Sequence, residues 1–376
     1  DGYLGWPTSM YLASQGHEVA IVDNLSKRVW EAECSVEPLF PISTIATRIS
    51  TFNELTGFKI KSYIGDIAKN HRFTYKVFEE FRPDSIIHYA EQPSAPYSMK
   101  NRETCFETQR NNVLGNINIM FAIRKYCPDS HLIKLGTMGE YGTPNIDIEE
   151  GWLEVDHNGR KDKVLYPKKP HSFYHLSKVH DSHNLEFACR VWGMRVTDLN
   201  QGVVYGTSTQ QTELSEKLQT SFHYDHIFGT VLNRFLVQAA IGMPLTVYGK
   251  GTQTRPALNI NDTIKCVEIS LNNPASQGEF RVFNQFTESF EINKLANMVK
   301  EMCKENEIDV LIQNVDNPRT ELMDHYYKAK NTSLKDLGLN PIYLNKKVLF
   351  EMFSKILKYK NRINKGLIMP TINWVQ

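Results

Sequence analysis

The chain has 376 residues, 41% of them hydrophobic, enough to bury the core of one large domain and a smaller lobe. With 43 basic and 42 acidic side chains the formal charge is +1, which excludes a global pull toward nucleic acid or an anionic membrane and leaves only local basic pockets. The six cysteines (Cys34, Cys105, Cys127, Cys189, Cys266, Cys303) form no CxxC pair and no apolar run nears the roughly 18 residues of a membrane helix, so free thiols in a reducing, cytoplasmic setting are expected.

Asp1-Gly2-Tyr3-Leu4-Gly5 reads as the middle of a glycine motif without the strand that leads into one, so the natural chain is expected to begin earlier. Trp6 to Gln15 follows as a helix that Gly16 ends, and His17 to Asp23 as an apolar strand closing on an acid. Asn24 to Phe58 is a long connection with a helix near 41–55. A short strand at Ser62–Gly65 stops at Asp66, a helix runs over Tyr75–Phe81, and Ser85 to Ala90 is the next strand. Thr104 to Tyr126 reads as one long helix, His131 to Thr137 as a strand, Tyr174 to Trp192 as a helix and Met194 to Asn200 as a strand. Shorter elements follow near Phe228–Gly242, Leu245–Tyr248 and Glu279–Phe283, and the stretch beyond Glu291 is mostly helical.

Short apolar strands alternating with helices predict an α/β fold: a Rossmann-type, doubly wound parallel sheet with helices on both faces. Residues 1–205 are expected to form this Rossmann-type domain, with its first strand missing from the chain start. Residues 206–376 are expected to form mainly a smaller C-terminal α/β substrate lobe, interleaved with the end of the sheet. Ligands of such sheets sit beyond the carboxyl ends of the strands, where Asp23, Asp66, Ala90-Glu91-Gln92 and Thr137 all fall.

Gly2 and Gly5 would let the backbone approach a pyrophosphate at the N-terminus of the first helix, where partial positive charge collects. Asp23, about 20 residues on, is placed to bind an adenosine ribose and to repel a 2′-phosphate, favouring NAD over NADP. Tyr174 and Lys178 stand four apart, on one face of a helix. An ammonium beside a phenol lowers the phenol's pKa from roughly 10, so the phenolate can take a proton from a sugar hydroxyl. Thr137, ending a strand about forty residues earlier, can bond the same hydroxyl, and an asparagine of Asn111-Asn112 on the preceding helix can orient the lysine through water. Arg255 and Arg319 are guanidinium forks suited to a diphosphate. His171, His175, His180 and His183 cluster around the Tyr174 helix, but nothing completes a set with zinc-like spacing and no metal is expected. His175 either faces the reacting carbon or packs.

These residues resemble the extended short-chain dehydrogenases/reductases at Gly2-Tyr3-Leu4-Gly5-Trp6, Val22-Asp23-Asn24-Leu25 and Gly65-Asp66-Ile67. Longer stretches resemble the UDP-sulfoquinovose synthase family. They run over Lys134–Ile148, which includes Thr137, Met138 and Glu140, over Ser172–His183, and over Asp198–Gly206, which includes Gln201. The likeness continues through Glu279–Phe286 and Asn317-Pro318-Arg319. It implies UDP-glucose and sulfite as substrates, a retained and recycled NAD, and a homodimer; a sulfite-supplying protein partner is open. It implies cofactor contacts from Asn24, Asp66, Ile67 and Asn112 and substrate contacts from Met138 and Gln201. A 4,6-dehydratase usually reads T-D-E-x-Y-G, whereas Met138 and Gly139 follow Thr137 here and Glu140 is displaced. Glu140 and His175 are both candidates for the acid that releases the sugar O6. Pro93 stands where plant-type members carry Arg, and Arg255-Pro256-Ala257-Leu258-Asn259 replaces a more usual R-G-Y-L-D. A UDP-sugar 4-epimerase or 4,6-dehydratase shares cofactor, triad and UDP site and is the rival reading; a non-catalytic NAD-binding protein is another.

Overall fold

The computed structural model describes residues 1–319, 326–372 and 374. The first half alternates as expected. Helix α1 (Gly5–Ser14) leads to strand β1 (Val19–Asp23), and α2 (Ser26–Glu33) and α3 (Ile45–Thr56) fill the long connection before β2 (Ile60–Ile64). Then come α4 (His71–Phe81), β3 (Ser85–His88), the short α5 (Ala95–Ser98), α6 (Arg102–Gln109), α7 (Gly115–Tyr126) and β4 (His131–Thr137). A hairpin of β5 (Trp152–His157) and β6 (Arg160–Leu165) precedes the long α8 (Phe173–Trp192), β7 (Arg195–Gln201) and β8 (Val203–Tyr205).

The second half carries α9 (Val231–Ala240), β9 (Leu245–Tyr248), β10 (Thr254–Asn259), α10 (Ile260–Asn272), β11 (Phe280–Gln285), β12 (Glu288–Glu291), α11 (Ile292–Glu305) and β13 (Ile312–Val315). The short α12 (Ser333–Asp336) and α13 (Lys346–Lys358) close the described chain.

Four parallel strands run in the order β11-β7-β4-β3, and β1 pairs in parallel with β2 as a separate two-stranded sheet. Helices α4, α7 and α8 cover one face of the large sheet through Phe78, Ile119, Ile123 and Leu185; Leu12, Val267 and Leu334 cover the other. The largest apolar cluster belongs to the second half, where α9, α11 and α13 pack through Phe235, Val299, Met302, Phe353 and Ile356. β11 leaves that half and returns to the edge of the large sheet beside β7. β8, β10 and β12 form a three-stranded sheet, and β9 pairs with β13.

Several elements differ from the sequence reading, each for a local reason. The single helix expected over Thr104–Tyr126 is interrupted by a π-helical turn, Arg110–Leu114, between α6 and α7. A single π turn inside a helix carries no composition signal of its own, and such turns gather at functional sites. β3 stops at His88 rather than Ala90, because the Glu91 N–H turns back onto the Tyr89 carbonyl (2.8 Å). The β5–β6 hairpin was signalled by Asn158-Gly159, both at positive φ (52° and 73°), the requirement of a type I′ turn.

Candidate active site

The register of β4 on β7 lays out the floor of the site. Lys134 pairs with Asp198, Gly136 with Asn200 and Thr137 with Gln201. Alternation then turns Lys134 and Gly136 to the same face as Asp198 and Asn200, under α8. A Cβ on Gly136 would lie 2.2 Å from Asn200 Oδ1 and 2.5 Å from Asp198 Oδ1, so this packing requires glycine.

Ser172 caps α8, its hydroxyl accepting the His175 N–H (3.2 Å) and lying 3.0 Å from His175 Nδ1. The Tyr174 N–H donates to Ser98 Oγ (3.0 Å), which ties this first turn to α5. Lys178 lies one turn on, its ammonium 5.8 Å from the centre of the Tyr174 ring. It donates to the Leu135 carbonyl (2.6 Å) and is ion-paired with Glu91. Here the structure departs from the simple tyrosine–lysine picture. Burial, then the negative charge of Glu91, push the Tyr174 phenol above its ordinary value instead of lowering it. Asn112 sits in the π turn and holds three pieces together: its Oδ1 accepts the Gln92 N–H (2.8 Å), and its Nδ2 donates to the Gln92 carbonyl (3.2 Å) and to Ser177 Oγ (2.9 Å).

Thr137 ends β4 in a reciprocal cap. Its hydroxyl accepts the Gly139 N–H (3.2 Å) while Glu140 accepts the Thr137 N–H (3.3 Å), which leaves the threonine O–H to donate elsewhere. Glu140 is fully buried and committed to Lys168, Lys134 and Ser182. Burial works against its ionisation, yet Lys168 and Lys134 hold its pKa at about 2, so it stays a carboxylate. His175 is different. A Cβ on Gly139 would stand 2.4 Å from both Cδ2 and Nε2 of its imidazole, so the ring occupies the space above residue 139. Burial, then the charge of Arg319, lower its pKa to about 3, which makes it a neutral imidazole.

On the other side of the sheet, α1 opens at Gly5 with no side chain capping it, and a Cβ at Gly2 would meet nothing within 4 Å. An uncapped helix N-terminus beside an open glycine cradle fits a pyrophosphate. Asp23 ends β1 and accepts the Leu25 N–H (2.7 Å). Asn24 donates to Asp66 (3.1 Å), and Asp66 caps its own turn through the N–H groups of Ala68 and Lys69. The Ile67 side chain packs in the core beneath Gly115. Gly2, Gly5 and Asp23 fit a dinucleotide lying across α1 and β1, whereas the Ile67 side chain, expected to touch it, is turned into the core.

Arg255 and Arg319 come together in one cleft of the second half, and the buried Arg234 joins them, 4.0 Å over the Tyr248 ring. Gln201 turns to Gln285 (3.0 Å), Met138 is buried with Tyr141 and Tyr166, and Pro93 is exposed. Sequence reasoning did not assign Glu91, Lys168, Asp181 or Arg234. Glu91 had a signal, an acid directly after an apolar strand; the others sit inside ordinary-looking helices and loops.

The NAD dependent epimerase/dehydratase family model matches residues 1–284. The chain is 50% identical over 374 residues to the chloroplastic UDP-sulfoquinovose synthase of Spinacia oleracea, covering 100% of this chain and 77% of that one. It is 42% identical over 381 residues to the UDP-sulfoquinovose synthase of Sulfolobus acidocaldarius, covering 100% and 95%. Among solved structures it matches UDP-glucose 4-epimerase from Bifidobacterium longum in complex with NAD⁺ and UDP, with a TM-score of 0.69 at 17% identity over 98% of this chain and 97% of that one. The Thermotoga maritima UDP-glucose 4-epimerase with UDP-glucose gives 0.68 at 19% identity, over 96% and 97%. These structural matches concern the fold.

Proposed function

Because the chain belongs to the NAD dependent epimerase/dehydratase family and aligns over its whole length with UDP-sulfoquinovose synthases, we propose that it converts UDP-glucose and sulfite to UDP-6-sulfo-6-deoxyglucose. The observation that carries this reading is the imidazole of His175 lying over Gly139. A 4,6-dehydratase carries a glutamate at that position after the threonine. Here a neutral base fills the space instead, beside Thr137 and Tyr174.

Thr137 and Tyr174 hold the sugar 4-OH, and Tyr174 accepts its proton. NAD, when bound over Gly2, Gly5 and Asp23 and held by Lys178, supplies the hydride exchange at C4. A C4 ketone acidifies the C5 proton. His175, neutral because of burial and Arg319, takes that proton and passes it to the departing O6, which leaves as water. Glu140 cannot serve, since at a pKa of about 2 it has no proton to give near neutral pH. The resulting 4-keto-5-ene is electrophilic at C6. Sulfur of bisulfite bonds there, and its proton returns through His175 to C5. C4 is then re-reduced and Tyr174 returns the proton to O4, so no net oxidant is consumed.

Arg255 and Arg319 clamp the diphosphate, with Arg234 behind them. With Pro93 in place of arginine, the positive field of Arg319 and Arg255 near His175 draws in the sulfite anion. The exposed Phe106, Leu114, Phe121, Phe187 and Val191, on α6 to α8 and the π turn between, offer the apolar face that a homodimer covers. The six free cysteines fit a reducing compartment such as the cytoplasm. Among the described residues no helix is long and apolar enough to cross a membrane.

The test is incubation with UDP-glucose and sulfite, without added reductant, followed by mass spectrometry of the nucleotide sugars. A UDP-hexose sulfonated at C6 is expected. UDP-galactose or a 4-keto-6-deoxy sugar as the sole product would establish an epimerase or a dehydratase instead.

A further inference from the structure

Lys178 does not face the phenol alone. Its ammonium is ion-paired with Glu91, and both side chains are only 2% exposed. Glu91 stands on the short loop after β3, which is fixed at both ends. The Glu91 N–H closes on the Tyr89 carbonyl (2.8 Å), and the Gln92 N–H closes on Asn112 in the π turn (2.8 Å). The loop therefore aims the carboxylate at the lysine. A buried carboxylate is costly unless a specific partner compensates it, and no step of the reaction above uses this one.

Other charges converge here. Lys134 reaches Tyr174 from β4, Glu140 from the turn after β4, and Asp181 and Lys178 from α8 itself. His88, at the end of β3, lies 3.7 Å from Glu91. Each is already accounted for. Glu140 is matched by Lys168 and Lys134, and Lys134 also by Asp198. Burial, then the charge of Glu91, push Asp181 well above the ordinary carboxylate range, which weakens its claim on a neighbouring cation. His88 is driven by burial to about 4 and is neutral. What remains is one carboxylate against one catalytic ammonium.

We infer that Glu91 is a positioning residue: it fixes Lys178 against the Leu135 carbonyl and cancels the positive charge that the Tyr174 phenol would otherwise feel. The inference rests on the reading of Tyr174 as proton acceptor. It predicts that the phenol stays protonated in the resting enzyme and ionises only as a ligand draws the ammonium away from Glu91.

The test is a tyrosinate absorbance titration of the as-purified protein, with Tyr174→Phe as the blank, beside the pH profile of turnover. Glu91→Gln is expected to lower the Tyr174 midpoint by at least about one pH unit, a tenfold gain in phenolate, and to move the acid limb of the profile the same way. Glu91→Asp keeps the charge and should stay near wild type. A Glu91→Gln protein that only melts earlier, with midpoint and limb unmoved, overturns the inference. Should Glu91→Gln fail to fold because Lys178 is left unpaired, Lys178→Met is compared with Glu91→Gln/Lys178→Met. The carboxylate then reads out as the difference between their midpoints, and equal midpoints overturn the inference. Neither titration needs UDP-glucose or sulfite, so a wrong product assignment leaves this result standing. Full turnover by Tyr174→Phe would remove its premise separately.

Discussion

Gly139 shows how much a single residue decides at this site. Its backbone is not in the left-handed region, so its importance is steric: a methyl there meets the His175 ring at 2.4 Å. The imidazole cannot simply step aside, because Nδ1 is 3.0 Å from the capping Ser172 hydroxyl. Gly139→Ala is therefore expected to leave the fold intact and to lower formation of the sulfonated sugar about a hundredfold, the scale of a roughly 1 Å misplacement of a catalytic group. Product formation and melting temperature are measured together. Near-normal turnover would mean that His175 carries no proton in the reaction. The identity of this contact was half legible beforehand: Gly139 stood out against T-D-E-x-Y-G and His175 adjoined Tyr174, but that one lies on the other needs the turn after β4 to meet the start of α8.

At the scale of elements, β4, β7 and α8 share a buried ionic layer. Lys134, Glu140 and Asp198 have fully buried side chains, and the Lys134 ammonium lies 3.5 Å from both carboxylates. The Ser182 hydroxyl on α8 lies within hydrogen-bonding distance of both Glu140 (3.0 Å) and Asp198 (2.7 Å). Burial opposes the charge on Lys134, and Asp198, then Glu140, more than offset it. Removing the cation would strand two buried anions, so Lys134→Met should cost about 3–5 kcal/mol in denaturant unfolding. A loss below about 1 kcal/mol would show that the layer relaxes or takes up water. In the sequence Lys134 is simply one residue of the strand expected over His131–Thr137. Its partners lie 64 and 6 residues away and became visible only through the β4–β7 register and the turn beyond it.

For the molecule as a whole, pH exposes a cost of burying imidazole. His131 starts β4, bonded to Thr197 Oγ1 (2.8 Å), and burial, then Arg281, lower its pKa to about 4. The unfolded value is roughly 6.5, so the unfolded chain binds the extra proton. Stability from this group is fully present above about pH 6.5 and is lost as pH falls toward about 4. Between pH 7 and 4.5 the wild type should therefore lose about 1–2 kcal/mol more than His131→Gln, read from urea unfolding of both. Parallel losses would mean that His131 titrates alike in both states. The sequence by itself determined the alternating α/β architecture, the acids at strand ends and the Tyr174–Lys178 pair, because periodicities of two and 3.6 and a four-residue spacing are properties of the local chain. Only the tertiary structure decided that Glu91 meets Lys178, that His175 covers Gly139, that a π turn interrupts the helix at Asn112 and that Arg234 joins Arg255 and Arg319. Those contacts depend on strand register and on loops crossing between elements, and they bring together residues that no local pattern relates.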